Sequence, residues 1–192
     1  MKNPGILVIL AAVAILQVAV PVAMIARREA TLRLGRAYKF RTAPVDPYDA
    51  FRGRYVWLGF EQTQARWTGK AEPTGRSRGY AVLDEGRDGF ATVREVTSQQ
   101  PQSGDYVKVD QVYRGWGTNS AMANFRLPFD RFYMEETKAP AAERAYRENS
   151  NRRGQTNYNT YAVVRIKGDD AVIENLYVDG KLISEFARQQ PK

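Results

Sequence analysis

The chain has 192 residues, of which 43% are hydrophobic and 26% charged, an ordinary composition for a folded globular protein that excludes wholesale disorder. It contains no His and no Cys, which excludes Ser-His-Asp triads, cysteine nucleophiles, imidazole acid–base catalysis and Cys/His zinc sites. The formal net charge of +8 is compatible with contacts to anionic lipid, an acidic polymer or nucleic acid. Because the basic residues are scattered among acids, with no basic run interleaved with stacking aromatics, nucleic-acid binding is not expected.

The first element is an apolar segment, residues 5–26, which reads GILVILAAVAILQVAVPVAMIA and contains no charge. A helix needs about 20 residues to cross a bilayer, whereas the apolar region of a cleaved signal peptide usually has about 7–15. In addition, Met24 occupies a position in the last candidate cleavage site where a small residue is required. We therefore predict an uncleaved membrane anchor over residues 1–28 and a folded domain over residues 29–192.

The charges on either side of this segment do not decide its orientation. Lys2 alone lies on the N-terminal side, and the positive-inside rule would then hold the domain in the cytoplasm. Long domains, however, are translocated largely regardless of charge, and the absence of Cys fits either compartment. The basic residues on the other side are Arg27, Arg28, Arg33, Arg36, Lys39 and Arg41.

After the anchor, hydrophobic residues alternate with polar ones along several short segments that are bounded by Gly, Pro, Asp and Ser. Short strands at near-regular spacing predict a mainly β fold, an antiparallel sandwich or a barrel-like domain. One short helix is expected over residues 139–149, where Pro140 suits a first turn. The predicted strands are 30–40, 54–62, 79–83, 89–96, 105–113, 126–134, 160–167 and 171–178.

The most distinctive stretch is PVDPYDAFRGRYVWLGF, residues 44–60. Its two prolines favour an extended approach, Asp46 and Asp49 can close Asx-type turns, and Gly53 permits positive φ at a strand entry. In the strand that follows, Tyr55 and Leu58 point to opposite faces, and both faces are largely apolar. This pattern predicts a central strand.

A similar core, Gly-x-Tyr-Val, recurs in SGDYVKVD, residues 103–110. Two matching turn-plus-strand units are compatible with a domain built from two related β halves. The same four positions also occur at any tight strand entry, so both interpretations stay open.

Candidate catalytic groups are restricted to carboxylates, Ser/Lys pairs and all-oxygen metal sites, because the chain also lacks a P-loop and a Gly-x-Gly-x-x-Gly motif. Glu135, Glu136 and Glu143 around the predicted helix could be combined with the lead-in aspartates into a two-carboxylate hydrolase. Helix-terminus electrostatics and turn formation explain the same residues more simply. Gly168, Asp169 and Asp170 read as a hairpin turn and not as a Ca²⁺ loop, so we expect no metal and no cofactor.

Aromatic residues make up 11% of the chain, and several lie beside arginine. Arg with exposed Tyr or Trp is the composition of interface hot spots, although aromatics in a β domain more often form core or cross-strand pairs. The candidate interface residues are Arg131, Tyr133, Glu135 and Glu143.

The order of these features resembles the GDYXXLXY protein family, membrane-anchored bacterial proteins with a Gly-Asp-Tyr-x-x-Leu-x-Tyr motif. Here Arg54 replaces the Asp, and Phe60 replaces the last Tyr. The resemblance extends to DEGRDGFATVREVTSQQP, FDRFYMEETKAPAAE and GDDAVIENLYVDGK. The residues that carry the motif and its Pro-x-Asp-Pro-x-Asp lead-in are Asp46, Pro47, Asp49, Arg52, Gly53, Tyr55, Leu58 and Phe60.

The resemblance implies a single-span anchor with an extracytoplasmic β-rich domain, and no established activity. We therefore expect a non-enzymatic module at the inner membrane, with its domain in the periplasm and an integral membrane protein as its partner. Two alternatives stay open: a cell-envelope hydrolase that uses paired carboxylates, and a cytoplasmic, lipid-facing domain of reversed topology.

Overall fold

The structure is a computed structural model that describes residues 4–43, 55–114, 121–135, 142, 144, 146 and 160–188. Most of the proline-rich lead-in and part of the candidate interface lie outside these residues. The predictions that lie outside them are those on Asp46, Pro47, Asp49, Arg52, Gly53, Arg54, Glu136 and Glu143.

The N-terminal helix runs from Pro4 to Leu34 and contains a segment, Val8–Leu34, long and apolar enough to cross a membrane. None of the apolar window is buried against the rest of the described structure. The prediction of a strand from residue 30 is wrong, since the helix continues through these residues. Ala, Leu and Arg are strong helix formers, and Arg33 forms an ion pair with Glu29 one turn earlier, at 2.6 Å.

Gly35 joins this helix to the domain in a turn that leaves no room for a side chain. Its backbone N–H donates to the Thr31 carbonyl at 2.9 Å, and Thr31 itself is fully buried. A Cβ atom on Gly35 would lie 2.4 Å from the Thr31 carbonyl oxygen and 3.0 Å from that of Ile166. Arg165 donates to the Gly35 carbonyl at 3.2 Å, and Arg27 forms an ion pair with Asp170. The end of the helix is therefore fixed on the hairpin formed by residues 160–178.

Twelve strands follow, and they account for most of the described domain. They form a five-stranded sheet in the order β12-β11-β10-β1-β3, a two-stranded pair β2-β9, and a closed barrel in the order β4-β6-β5-β7-β8. The strands are β1 Arg36–Ala43, β2 Tyr55–Trp57, β3 Gly59–Phe60, β4 Gln64–Trp67, β5 Thr74–Glu85, β6 Ala91–Thr97, β7 Tyr106–Arg114, β8 Met122–Arg126, β9 Arg131–Tyr133, β10 Thr160–Lys167, β11 Asp170–Val178 and β12 Lys181–Leu182.

The barrel confirms the prediction of a mainly β, barrel-like domain. All of its pairings are antiparallel except β4–β6, which is parallel. The two Gly-x-Tyr-Val segments have different neighbours, because Tyr55 lies in the two-stranded pair and Tyr106 in the barrel.

The strand that carries the family motif, residues 55–60, is called the motif strand, and it differs from its prediction in one respect. Its alternation is confirmed, since Val56, Leu58 and Phe60 are buried while Tyr55 and Trp57 are half-buried. It is not a central strand, however, because it divides at Leu58, whose N–H donates to the Asp130 carbonyl at 2.8 Å. The first half pairs with β9, and the second half pairs with β1 at the edge of the five-stranded sheet.

One continuous hydrophobic core connects the sheet, the barrel and the two-stranded pair. At its centre, the rings of Phe40, Phe60 and Phe129 meet edge-on, with centroids 5.1–6.1 Å apart. This geometry is favoured by the ring quadrupoles in addition to the area that is buried. The three rings come from β1, β3 and the β8–β9 connection, so they hold the separate sheets together.

Other differences concern short elements. The predicted strand 126–134 is the end of β8, a connection and β9, while β4, β12 and a C-terminal helix, Ile183–Arg188, were not predicted. The predicted helix over residues 139–149 is helical at the positions described, 142, 144 and 146. Ala142 and Tyr146 pack into the core from it.

The Gly35 junction generates a stability prediction. We expect Gly35→Ala to lower the free energy of unfolding by about 1–3 kcal/mol, because the new methyl group meets backbone atoms that cannot move aside. Urea unfolding of the full chain in detergent micelles, followed by circular dichroism, measures the change. Gly5→Ala is the control, since a Cβ atom there meets nothing within 4 Å. Equal stability of the two variants would contradict the close contact.

Two buried tyrosines predict a loss of stability at alkaline pH. Burial, followed by the hydrogen bond to Asp105, raises the pKa of Tyr38 to about 12, and burial raises the pKa of Tyr146 to about 12. An unfolded tyrosine titrates near 10, so the folded state favours the neutral form. This contribution is complete below about pH 10 and is lost as the pH rises toward 12.

We therefore expect the melting temperature to fall between about pH 10 and 12, and to fall less in a Tyr38→Phe, Tyr146→Phe double variant. Thermal melts of the two proteins from pH 8 to 12 give the comparison. A double variant with the same pH dependence as the parent would show that other groups cause the loss.

Candidate functional site: an arginine–aromatic cluster

The two-stranded pair places the motif tyrosine opposite a predicted interface residue. Strands β2 and β9 pair with Tyr55 opposite Tyr133 and Trp57 opposite Arg131. Because side chains alternate along a strand and Val56 is completely buried, these four residues lie on the outward face. With Arg126 at the end of β8, they form a group that we call the arginine–aromatic cluster.

The rings and guanidinium groups of the cluster contact one another closely. The Tyr55 ring centroid lies 5.7 Å from that of Tyr133 and 6.2 Å from that of Trp57. The Cζ atom of Arg131 lies 5.2 Å from the Tyr55 centroid and 5.0 Å from the Trp57 centroid, and Arg126 lies 5.7 Å from Trp57. Each exposed cation–π contact contributes about 0.5–1 kcal/mol. Together these contacts hold the outward-facing side chains in place, although they are not part of the buried core.

Two guanidinium groups of the cluster share one carboxylate. Asp130 accepts from Arg126 at 2.8 Å, and its other oxygen lies 3.6 Å from Arg131 Nε. The hydrogen bond with Tyr133, and then the charge of Asp130, raise the pKa of Arg131 above its usual value. With Asp130 counted, the cluster has one positive charge in excess.

Tyr133 gives the cluster an unusually exposed ring. Outside the N-terminal helix, the large hydrophobic side chains exposed among the described residues are Tyr133, at 65%, and Tyr113, at 49%. Tyr113 lies on barrel strand β7, opposite Asn124 of β8. An exposed Tyr beside Arg and Trp is the combination enriched at the centres of protein interfaces.

A cavity lies on each side of the cluster, and Asp130 lines both. The first has a volume of about 360 Å³, and its lining includes Trp57, Phe60, Gln62 and Arg126. The second, which we call the junction cavity, has a volume of about 520 Å³ and lies between the end of the N-terminal helix, β9 and β11. Its lining includes Arg28, Arg131, Tyr133, Ile173 and Glu174.

The structure separates the predicted site residues into two groups. Tyr55, Arg131 and Tyr133 come together in the cluster, whereas Leu58 and Phe60 are core residues. Glu135 is exposed and has an interaction of its own, two residues beyond β9.

Sequence reasoning missed Trp57, Arg126 and Asp130 as members of the site. Trp57 lies two residues after Tyr55, which on a strand means the same face. Arg126 and Asp130 are four positions apart on either side of Pro128, and their ion pair is visible only in the structure. Alternation could therefore have identified Trp57, but not Arg126 and Asp130.

No group of three or more Asp and Glu side chains in the described residues could hold a metal ion. Gly168 and Asp169 form the hairpin turn that was predicted, Asp169 accepts from the Tyr106 hydroxyl at 3.2 Å, and Asp170 pairs with Arg27.

Comparison with known proteins identifies the family. No curated protein and no solved structure matches the chain. The family model described as GDYXXLXY protein matches residues 17–176, which include the last part of the apolar helix, the motif strand, the barrel and the cluster. The chain therefore belongs to the GDYXXLXY protein family.

Proposed function

We propose that this protein is a membrane-anchored, non-enzymatic binding module whose arginine–aromatic cluster contacts the extramembrane part of an integral membrane protein. We further propose that it lies in the inner membrane with its domain in the periplasm. The observation that carries the proposal is the exposed face of Tyr55, Trp57, Arg131 and Tyr133 beside the end of the apolar helix.

The position of the cluster favours a membrane partner. Arg28, two residues beyond the end of the charge-free segment, lines the same cavity as Arg131 and Tyr133. A protein that reaches the cluster would therefore lie close to the bilayer surface. The extramembrane loops of a multi-pass protein lie close to the bilayer surface, so they could reach the cluster without being long.

The N-terminal helix offers a second contact within the bilayer. It contains Gln17 and Pro21, whose unpaired polar groups a neighbouring transmembrane helix can satisfy. Its apolar window is not covered by any described part of the domain. Contact at both the helix and the cluster would combine two weak interactions into one stable association.

A binding role also fits the carboxylates beside the cluster. Asp130 is held by two guanidinium groups, and Glu174 is held by Arg165 at 2.7 and 3.2 Å. A general acid or nucleophile needs a carboxyl group that is available to substrate. These two are instead neutralised by fixed cations.

We expect a photoreactive amino acid at Tyr133 to cross-link a multi-pass membrane protein in intact cells, whereas the same probe at Tyr113 does not. Tyr113 is the matched control because it is also an exposed tyrosine on a strand, but on the barrel. Mass spectrometry of the cross-linked band identifies the partner. Equal cross-links from both positions, or cross-links to soluble proteins alone, would contradict the proposed surface.

Once the partner is identified, its affinity for variants of the cluster can be measured directly. Truncation of a hot-spot residue costs about 2 kcal/mol, so Trp57→Ala and Arg131→Ala should each weaken binding roughly thirtyfold. Arg114→Ala is the control, since Arg114 is exposed and paired with Glu72 at 3.2 Å on the barrel. Unchanged binding in all three variants would exclude the cluster.

The orientation is tested separately. We expect a phosphatase reporter fused after Lys192 to be active and a fluorescent reporter that matures only in the cytoplasm to be dark. The domain is long enough to be translocated despite the basic residues that follow the span. The opposite pattern would place the domain in the cytoplasm.

A further inference from the structure

The junction cavity lies at a defined depth relative to the membrane. The charge-free segment ends at Ala26, and a helix rises 1.5 Å per residue, so Arg28 is about 3 Å beyond it. The polar interfacial layer of a bilayer is roughly 5–7 Å thick on each side. The mouth of the cavity at Arg28 is therefore level with the lipid headgroups.

The contacts of the helix end keep the cavity at this depth. The Arg27–Asp170 ion pair and the Gly35 turn hold the last helical turns against β10 and β11. Ala171, Val172 and Ile173, which follow Asp170 directly, form one wall of the cavity. The cavity cannot move away from the membrane without breaking the junction.

The cavity combines apolar walls with an excess of positive charge. Phe132, Ala171 and Ile173 pack against the core, and they also give the cavity an apolar lining. Arg28 and Arg131 supply two cations, and Arg28 forms no ion pair with a residue that the structure describes.

The two acids in the lining do not cancel this charge. Glu174 is neutralised by Arg165, and Asp130 by Arg126. When these partners are counted with the lining, four arginines face two carboxylates. The surplus is available to an anion that enters from outside.

We propose that the junction cavity binds a glycerophospholipid from the adjacent leaflet. Its phosphate lies between Arg28 and Arg131, and its glycerol backbone rests on the apolar wall of β11. Guanidinium groups bind phosphate oxygens in a bidentate manner, and their apolar surroundings strengthen the interaction. A leaflet lipid reaches the site directly, with its acyl chains along the uncovered helix. The inference goes beyond the proposed function and does not depend on the orientation of the domain.

The test uses the full chain in uncharged detergent micelles, titrated with short-chain phosphatidylglycerol and followed by isothermal calorimetry. Two matched probes separate the sources of binding: inorganic phosphate lacks the glycerolipid, and the corresponding short-chain diacylglycerol lacks the phosphate. We expect saturable binding of phosphatidylglycerol and at least about tenfold weaker binding of either probe.

The variants assign this binding to the cavity. Arg28→Gln and Arg131→Gln should each weaken phosphatidylglycerol binding about tenfold or more, because each removes a charge-assisted bond to phosphate. Arg114→Gln on the barrel should leave the affinity unchanged. Because the titration contains no partner protein, failure of the lipid proposal and failure of the partner proposal are distinguishable.

Three results would contradict the proposed lipid site. Inorganic phosphate that binds as tightly as phosphatidylglycerol would overturn the lipid assignment in favour of a free anion. Absence of saturable binding, or equal affinity in Arg28→Gln and the parent at unchanged melting temperature, would overturn the site itself.

Discussion

The close contact of Gly35 with the backbone of Thr31 and Ile166 determines where the rest of the structure lies. A glycine linker would normally let a domain rotate freely below its membrane anchor. Here the missing side chain instead lets the helix end pack directly on β10, and Arg165 and Asp170 secure it from two sides. The cluster and the junction cavity therefore have fixed positions relative to the N-terminal helix. The proposed partner and the proposed lipid would both meet this fixed surface near the helix end.

The local parts of the fold could be predicted because they depend on properties that neighbouring residues share. The apolar run of residues 5–26 specified the N-terminal apolar helix, and alternation specified β6, β7, β10 and β11 almost to their ends. Alternation also identified which motif residues are buried. Turn residues supplied the boundaries, as at Gly168 and Asp169 between β10 and β11.

The remaining parts depend on contacts between residues that are distant in the chain. The motif strand divides at Leu58 because the Asp130 carbonyl, 72 positions later, accepts its N–H, and no local pattern specifies that bond. The helix extends to Leu34 despite the strand-like alternation there, and the burial of Thr31 against the domain accompanies this extension. The cluster could be predicted only in part for the same reason. Tyr55, Arg131 and Tyr133 were each visible in the sequence, but the pairing of β2 with β9 brings them together.

The arginine content shows how one residue type can serve both the architecture and the surface. Net charge alone would suggest a diffuse attraction to anions, yet most described arginines are committed to specific neighbours. Arg41 lies 3.8 Å from the Phe90 centroid and pairs with Asp88, and Arg165 joins Glu174 to the Gly35 junction. A planar guanidinium can stack on a ring and bind a carboxylate simultaneously, which a lysine ammonium cannot do with the same geometry. Around the junction cavity, Arg131 shares Asp130 with Arg126, and Arg28 forms no ion pair with a residue that the structure describes, so arginines outnumber carboxylates there.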